Sequence, residues 1–198
     1  MNTDWTPEKL IAFEKDLEET FNRGEIRAPL HLAGSNEESL IEIFQDIRPQ
    51  DFVCGTWRSH YHCLLKGVPA DELKAAIVAG RSIALCFKEQ RVICSAMVGG
   101  IIPVALGLAW AIKHRGLDEK VWCFVGDMGA CSGIAHESAQ YASAHQLPLK
   151  VVIEDNSKSV DTDTQAAWGG ERIFCTYDRL YEYELPHKHV GTGKWVSL

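Results

Sequence analysis

The sequence predicts an α/β fold in which a mostly parallel sheet is covered by helices on both faces. Short apolar runs alternate along the chain with segments of helical period. Residues 121–156 show the order strand, turn, helix, strand within a single stretch. The length of 198 residues suits one domain with a sizeable core. We therefore predict one domain over residues 1–198, with an N-terminal helical segment (1–26) and an irregular C-terminal extension (166–198).

The individual elements follow from hydrophobic period and from their end signals. Thr6 is a suitable N-cap and Pro7 suits the first turn of a helix, so the first helix begins there. Gly80 and Gly116 stop two later helices. The predicted helices are 6–21, 37–44, 70–78, 101–114 and 133–145, and the predicted strands are 51–54, 121–125 and 149–153. No clear period is present over residues 172–185.

Composition excludes several classes of protein. The formal net charge is -7 and no basic cluster offsets it, which argues against nucleic-acid binding. The longest largely apolar run, 101–112, is shorter than the roughly 20 residues that span a bilayer. The polar start of the chain does not have the pattern of a signal peptide, so we expect a cytoplasmic protein. Seven cysteines without a CxxC pair disfavour a disulfide framework or a zinc site, and most are expected to be buried.

Polar residues follow two predicted strands. Gly126 and Asp127 come directly after strand 121–125, and Asn156 follows strand 149–153. The carboxyl ends of parallel strands open on one crevice, so Asp127 and Asn156 direct two oxygens at one place. Carboxylate and amide oxygens suit a hard cation, and the N–H groups of the turn suit a phosphate.

This arrangement resembles the GDG-to-N diphosphate and metal motif of thiamine diphosphate enzymes. The resemblance implies Mg²⁺ held by the Asp127 carboxylate, the Asn156 side-chain oxygen and the Lys158 carbonyl. Two phosphate oxygens and a water would complete the octahedron that Mg²⁺ requires.

The turn that follows Asp127 departs from the motif in one place. The resemblance places Gly126, Met128 and Gly129 against the cofactor's diphosphate, but glycine is usual where Met128 stands. Close approach of the backbone to phosphate then requires Met128 to point into the core between sheet and helix.

Further blocks resemble the alpha subunit of the first component of 2-oxo acid dehydrogenases. DFVCGTWRSH (51–60) is similar to the family's strand followed by T-Y-R-x-H, and SAMVGGIIPVALG (95–107) to its glycine-rich stretch before a P-x-A-x-G helix. HLAGSNE (31–37) loosely matches H-L-x-x-G-x-E, and the helix from Gly133 carries the family's glutamate spacing at Glu137. The resemblance covers about residues 27–165.

The resemblance also implies roles for individual residues. Arg58 would pair with the diphosphate through a forked contact, and Trp57 would supply an indole donor where the family has tyrosine. His60 would be catalytic, close to the thiazolium, as an acid–base or oxyanion-stabilising group. The backbone at Ala96 and Val98 would bind the aminopyrimidine.

Several of these residues have plainer interpretations. Alone, Arg58 would be interpreted as a partner in a surface salt bridge. Asp155 is expected to cap the turn that follows it, and residues 187–189 are expected on a surface loop. Cys86 stands where the family has a histidine after its Gly-Arg position, and Cys131 stands where the family has a polar residue.

The predicted function is that of a short alpha-type subunit of a two-subunit enzyme. With thiamine diphosphate and Mg²⁺ it would cleave a 2-oxo acid or ketose donor and transfer the resulting acyl or ketol carbanion. In the family the glutamate that activates the aminopyrimidine belongs to a separate beta subunit, and no such domain fits within this length. We therefore expect a beta-type partner, in an α2β2 heterotetramer, to supply the pyrimidine half of the site. Neither the donor, the acceptor nor the partner chain is defined by the sequence.

Three alternatives remain open. One is a split transketolase-like subunit, which shares the fold, the metal motif and the need for a partner. Another is a non-catalytic scaffold or regulatory homologue. A nucleotide-binding α/β module is disfavoured because neither GxGxxG nor a P-loop is present.

Overall fold

The computed structural model describes residues 4–192. Helices and strands alternate along most of this length. The helices are α1 (Pro7–Asn22), α2 (Glu37–Phe44), α3 (His60–Leu65), α4 (Ala70–Ala76), α5 (Ile101–His114), α6 (Asp127–Ala130), α7 (Gly133–Ala144) and α8 (Thr164–Trp168). The strands are β1 (Phe52–Gly55), β2 (Cys86–Phe87), β3 (Val92–Cys94), β4 (Val121–Gly126), β5 (Leu149–Asp155), β6 (Lys158–Ser159), β7 (Thr162–Asp163) and β8 (Arg179–Glu182).

Six strands form one sheet in the order β2-β3-β1-β4-β5-β8. Every neighbouring pair runs parallel except β2 with β3. The longest strand pairing is that of β4 with β5, which runs from Val121 with Leu149 to Gly126 with Glu154. Strands β6 and β7 form a separate hairpin immediately after β5. The predicted mostly parallel sheet is confirmed.

Two apolar cores cover the two faces of the sheet. Trp122 and Phe124 of β4 pack into the core that also holds α1 to α4, whereas Cys123 and Val125 pack into the core under α5 and α7. Successive side chains of a strand point to opposite faces, so a strand that is buried on both sides reads as a continuous apolar run. Helices therefore cover both faces, as predicted.

The residues predicted to begin and end two of the helices have these roles in the structure. The Thr6 side chain accepts a hydrogen bond from the Lys9 backbone N–H at 3.4 Å, and Pro7 opens α1. Helix α4 continues into a five-residue π-helical turn, Ile77–Arg81, in which Gly80 has φ of 84°. Glycine adopts this left-handed conformation at low cost, which explains why the helix ends there.

The C-terminal extension contains structure that its sequence did not indicate. Within residues 172–185, β8 pairs with β5, matching Val152 with Arg179 and Asp155 with Glu182. This strand lies at the sheet edge and its side chains are half-buried or exposed, so backbone pairing rather than a side-chain pattern defines it. Residues 193–198 of the extension lie outside the described residues.

None of the helices within residues 4–192 combines the length and the apolar character needed to cross a membrane.

Candidate functional site

A crevice opens at the carboxyl ends of β1, β4 and β5, where parallel strands deliver their following turns to one edge. It encloses about 670 Å³, open solvent included. Residues from all three turns line it, namely Thr56, Trp57 and Arg58 after β1, Gly126 to Gly129 at the end of β4, and Glu154, Asn156 and Lys158 around the end of β5. Hereafter "the crevice" means the space lined by these residues. The structure thus brings together every residue predicted for the metal and the diphosphate.

Asp127 lies at the point where β4 ends and α6 begins. Its side chain is almost fully enclosed, with the residue 1% exposed. Burial raises the pKa of the Asp127 carboxyl above its usual range, and the charge of Asp155 adds to the rise. The nearby Thr164 side chain acts in the opposite direction and lowers this pKa. A buried, ionised carboxylate is costly when it is alone, so a cation bound beside it is strongly favoured.

Asn156 lines the crevice after the end of β5, and the residue before it, Asp155, is buried and is not among the lining residues. Asp155 Oδ1 accepts a hydrogen bond from the Ser157 backbone N–H at 2.8 Å, as expected for a residue that caps a turn. Its second oxygen, Oδ2, is buried and has no hydrogen-bond partner among the described residues. Asn156 Oδ1 accepts from the Lys158 backbone N–H at 3.1 Å. Ser157 has φ of 57°, which turns the chain sharply back toward the crevice.

A basic residue that the sequence did not single out reaches these carboxylates. Arg172 Nη1 lies 2.6 Å from Asp155 Oδ1 and 3.4 Å from Asp127 Oδ2. The hydrogen bond to Asp155 raises the pKa of Arg172, and the charge of Asp127 adds to the rise. No sequence signal could have placed Arg172 here, because it lies in an irregular segment between α8 and β8.

Arg58 contrasts with Arg172 because no carboxylate lies within salt-bridge distance of its guanidinium in the described part of the chain. Arg58 Nη2 donates to the His189 carbonyl at 3.1 Å and lies 3.3 Å from His189 Nδ1. Arg58 Nε is buried without a partner. Burial lowers the pKa of Arg58 from its usual value. The guanidinium is therefore a half-buried cation with unsatisfied donors that faces the crevice.

The expectation that residues 187–189 form a surface loop is wrong for His189. Its ring packs against the His31 ring, with 4.7 Å between centroids, and lies 6.2 Å from the Trp57 ring. After β8 pairs with β5, the chain continues past Tyr183, which lines the crevice, to His189, which lines an adjoining cavity, and the sequence pattern did not reveal this path.

His60 does not line the crevice. Its imidazole is fully buried, with Nδ1 2.9 Å from Glu14 Oε1 and Nε2 2.9 Å from Ser82 Oγ. The three side chains tie α1 and the segment after α4 to the start of α3. The catalytic role of His60 stays a prediction, and this geometry favours positioning of the neighbouring Arg58 turn.

A second cavity, which encloses about 390 Å³ with open solvent included, adjoins the crevice and shares Trp57 and Val98 with it. Ala96, His31 and His189 also line it. Burial and the charge of Arg58 lower the pKa of His31 to about 3, so its ring is neutral at pH 7. His31 Nδ1 and Trp57 Nε1 are buried without hydrogen-bond partners. The two residues predicted for the aminopyrimidine thus border a cavity with unsatisfied polar atoms.

Met128 does not point into the core as the motif required. It is half-buried and lines the crevice. Asp127 occupies the inward position at the start of α6, and the next residue of a helical turn faces another direction. The side chain therefore narrows the space beside the Gly126 and Gly129 backbone.

Glu154 is a further crevice residue that the sequence reading missed. It is buried at the end of β5, lines the crevice and accepts a hydrogen bond from the Tyr181 hydroxyl. Its place at the carboxyl end of a predicted strand was the available signal. Within residues 4–192, no three side chains of the His, Cys, Asp and Glu types form a metal-binding group, so a cation here would need amide or carbonyl oxygens as well.

The six buried cysteines agree with the sequence expectation, and Cys86 is exposed. Burial raises the pKa of the Cys54 thiol to about 12, and that of Cys131 is also raised. These thiols are therefore protonated at pH 7.

Comparison with known proteins identifies the family. The family described as "Dehydrogenase E1 component" matches residues 8–179. The chain belongs to this family. The E1 match includes β4, α7 and β5 and the crevice residues from Thr56 to Lys158, whereas Tyr183 and His189 lie beyond it.

Relatives within the E1 family have consistent names. The chain is 26% identical over 196 residues to the alpha subunit of acetoin:2,6-dichlorophenolindophenol oxidoreductase of Bacillus subtilis, covering 92% of this chain and 58% of the relative. It is 29% identical to the subunit of that name from Cupriavidus necator, covering 88% and 54%. It is 30% identical to the chloroplastic pyruvate dehydrogenase E1 component subunit alpha-3 of Oryza sativa, covering 90% and 46%. The chain therefore spans about half the length of these E1 relatives.

Proposed function

We propose that this chain is an alpha-type subunit of a two-subunit enzyme that depends on thiamine diphosphate and Mg²⁺. It would act on a 2-oxo acid or a ketose and transfer the acyl or ketol unit. Family membership and the names of the relatives support the alpha-type assignment. Ketol transfer rests on the resemblance alone.

The observation that carries the proposal is the charge pattern of the crevice. Arg58 faces the crevice without a carboxylate partner, Asp127 lines the crevice as a buried acid, and Asp155 is buried at the end of the neighbouring strand β5. An anion with a bound divalent cation satisfies both sides at once, because the guanidinium binds phosphate and the acids bind the metal. The unpartnered Asp155 Oδ2 and Arg58 Nε fit such a pair.

The chain's own residues would divide the work of binding. Asp127, Asn156 and the Lys158 carbonyl would hold Mg²⁺, and Arg58 with the N–H groups after Gly126 would hold the diphosphate. Glu14 and Ser82 fix His60, which in turn fixes the turn that presents Arg58. When bound, thiamine diphosphate supplies the carbon nucleophile that adds to the donor carbonyl.

A beta-type partner belongs to the proposal, as an α2β2 heterotetramer. Apolar side chains beside the crevice support it, since Met97 is 70% exposed and Val98 is half-exposed. Val104 and Trp110 of α5 and Ile134 of α7 extend this apolar surface. Large exposed apolar side chains on neighbouring elements are typical of a protein interface. The cytoplasmic location stays a prediction.

Calorimetric titration with thiamine diphosphate, with and without Mg²⁺, tests the proposal. It would be done on the chain alone and on the chain co-expressed with the product of the neighbouring gene. Saturable, Mg²⁺-dependent binding is expected for the natural chain, and none for Asp127→Ala, because that variant lacks the central cation ligand.

Asp71→Ala is the matched control, since Asp71 is an exposed acid on α4 away from the crevice. It should bind like the natural chain. If no sample binds the cofactor, the enzyme proposal fails and the scaffold alternative becomes the better account. If Asp127→Ala binds normally, the assignment of the cation site is wrong.

A further inference from the structure

Arg172 is the only basic side chain within salt-bridge distance of Asp127 or Asp155 among residues 4–192. Its Nη1 lies 2.6 Å from Asp155 Oδ1, 3.4 Å from Asp127 Oδ2 and 3.5 Å from Ser157 Oγ. One guanidinium nitrogen therefore faces both acids.

These two acids require a nearby positive charge. Asp127 is 1% exposed and Asp155 is 2% exposed, so water cannot screen them effectively. Two like charges buried side by side are costly unless a cation lies with them. Arg172 supplies that charge from within the chain.

A divalent cation would need the Asp127 carboxylate, the central ligand of the proposed site, which Arg172 Nη1 approaches to 3.4 Å. Asp155, whose Oδ2 is buried and unpartnered among the described residues, holds the guanidinium in this position through Oδ1. A guanidinium within hydrogen-bond distance of these carboxylates would also repel a divalent cation a few ångströms away. The two cations therefore exclude one another.

The segment that carries Arg172 can release it without loss of the sheet. Gly170 N–H donates to the Gln165 carbonyl at 3.2 Å, and Cys175 N–H donates to the Ala130 carbonyl at 3.0 Å, so the backbone is anchored on both sides. Ile173, the next residue, is 73% exposed. The Arg172 side chain lies at the edge of solvent and β8 begins beyond the second anchor.

We infer that Arg172, held by Asp155, is a tethered counter-cation that competes with the divalent cation for the Asp127 carboxylate, so that cation binding requires its displacement. The identity of the cation as Mg²⁺ rests on the proposed function. Arg172 would then set the affinity of the site and keep the two acids neutralised when the divalent cation is scarce.

Calorimetric titration of the full chain with MgCl₂ tests this inference. Arg172→Gln should bind Mg²⁺ about tenfold more tightly than the natural chain, since it loses a charge-assisted hydrogen bond with the acids. Arg172→Lys keeps the charge and should remain close to the natural affinity. Arg179→Gln is the matched control, because Arg179 pairs with Asp46 at an exposed position in the same C-terminal part, and it should be unchanged.

A second measurement keeps the test informative if Arg172→Gln is unstable. Its melting temperature without Mg²⁺ should fall, because two buried acids lose their counter-charge, and Mg²⁺ should restore it by more than in the natural chain. In the natural chain, Mg²⁺ should also increase tryptic cleavage after Arg172 relative to cleavage after Arg179, because the side chain is released.

Equal or weaker Mg²⁺ binding by Arg172→Gln would overturn the inference, as would Mg²⁺ protection of the Arg172 bond from trypsin. Titration of the same samples with thiamine diphosphate separates this failure from that of the proposed function. If the natural chain binds the cofactor with Mg²⁺ and Arg172→Gln binds it more weakly, Arg172 contacts the cofactor and does not compete with the metal. If no sample binds Mg²⁺ or the cofactor, both proposals fail.

Discussion

Arg58 and Arg172 face the same crevice region in opposite electrostatic situations. Arg58 has no acidic partner within salt-bridge distance in the described chain, and burial lowers its pKa. Arg172 lies against two buried acids, and the hydrogen bond to Asp155 raises its pKa. The difference shows that a guanidinium at a site edge is not diagnostic by itself. One arginine lacks an anion and the other supplies a cation, so their removal should have opposite effects.

Of the changes that test this comparison, removal of the Arg58 guanidinium should have the largest effect on thiamine diphosphate affinity. Arg58→Gln should weaken thiamine diphosphate binding by about 10- to 100-fold, because hydrogen bonds to a charged group contribute roughly 1.5–3 kcal/mol. Arg58→Lys should recover part of the affinity, since it keeps the charge without the forked geometry. Calorimetry in saturating Mg²⁺ measures this change.

The matched variant Arg172→Gln should not lose cofactor affinity under the same saturating Mg²⁺. A melting curve of each variant checks that the fold is retained. If both arginine variants lost the same affinity, the two residues would not be electrostatically distinct, and the comparison would fail.

Together with burial, the positive charge of Arg58, which no carboxylate within residues 4–192 cancels, lowers the pKa of His31 and should therefore affect how stability depends on pH. His31 is 6% exposed and its folded pKa is about 3, below the ordinary value of 6.5, so its protonation favours the unfolded state. The native state is therefore fully favoured by this group above pH 6.5, and stability falls as the pH drops from there toward 3. The expected slope is about 1.4 kcal/mol per pH unit at most.

Urea unfolding at pH 7, 6 and 5 measures this slope. His31→Gln should flatten it, because the titrating group is gone, whereas Arg58→Gln should reduce it less, since burial is the larger cause of the pKa shift. His31→Gln with an unchanged slope over this range would show that other groups control the acid sensitivity.

Substitution of Met128 should give the smallest change in thiamine diphosphate affinity. Met128→Gly should tighten thiamine diphosphate binding a few-fold by opening the turn that Asp127 begins, although glycine costs α6 roughly 1 kcal/mol of stability. Met128→Ala should lie between the two. A loss of affinity in Met128→Gly would indicate that the methionine side chain contacts the cofactor rather than obstructing it.

The sequence was most informative where one structural period repeated over a whole element. Strands β4 and β5 are buried on both faces, so they appear as apolar runs, while α5 before β4 and α7 between the two strands follow the helical period. Because the order of parallel strands then places their ends together, Asp127 and Asn156 could be assigned to one crevice from sequence. Residue identities in the 51–60 block located Arg58 through resemblance.

Residues that act at long range could not be predicted in this way. His60 matches the family block, yet its environment depends on Glu14 and Ser82, which lie 46 and 22 residues away. Met128 was expected in the core, but the start of α6 turns it toward the crevice. Neither outcome leaves a local trace in the sequence.

By itself, the sequence determined the α/β class, the order of the central elements and the two polar positions at the ends of β4 and β5, because strand and helix periods are local properties. The tertiary structure alone decided that Arg172 meets Asp127 and Asp155, and that His189 meets Arg58. The Arg172 contact depends on the backbone anchor of Cys175 on Ala130, which lies far away in the sequence. The His189 contact follows the pairing of β8, and backbone pairing at a sheet edge is specified by neighbouring strands rather than by the strand's own side chains.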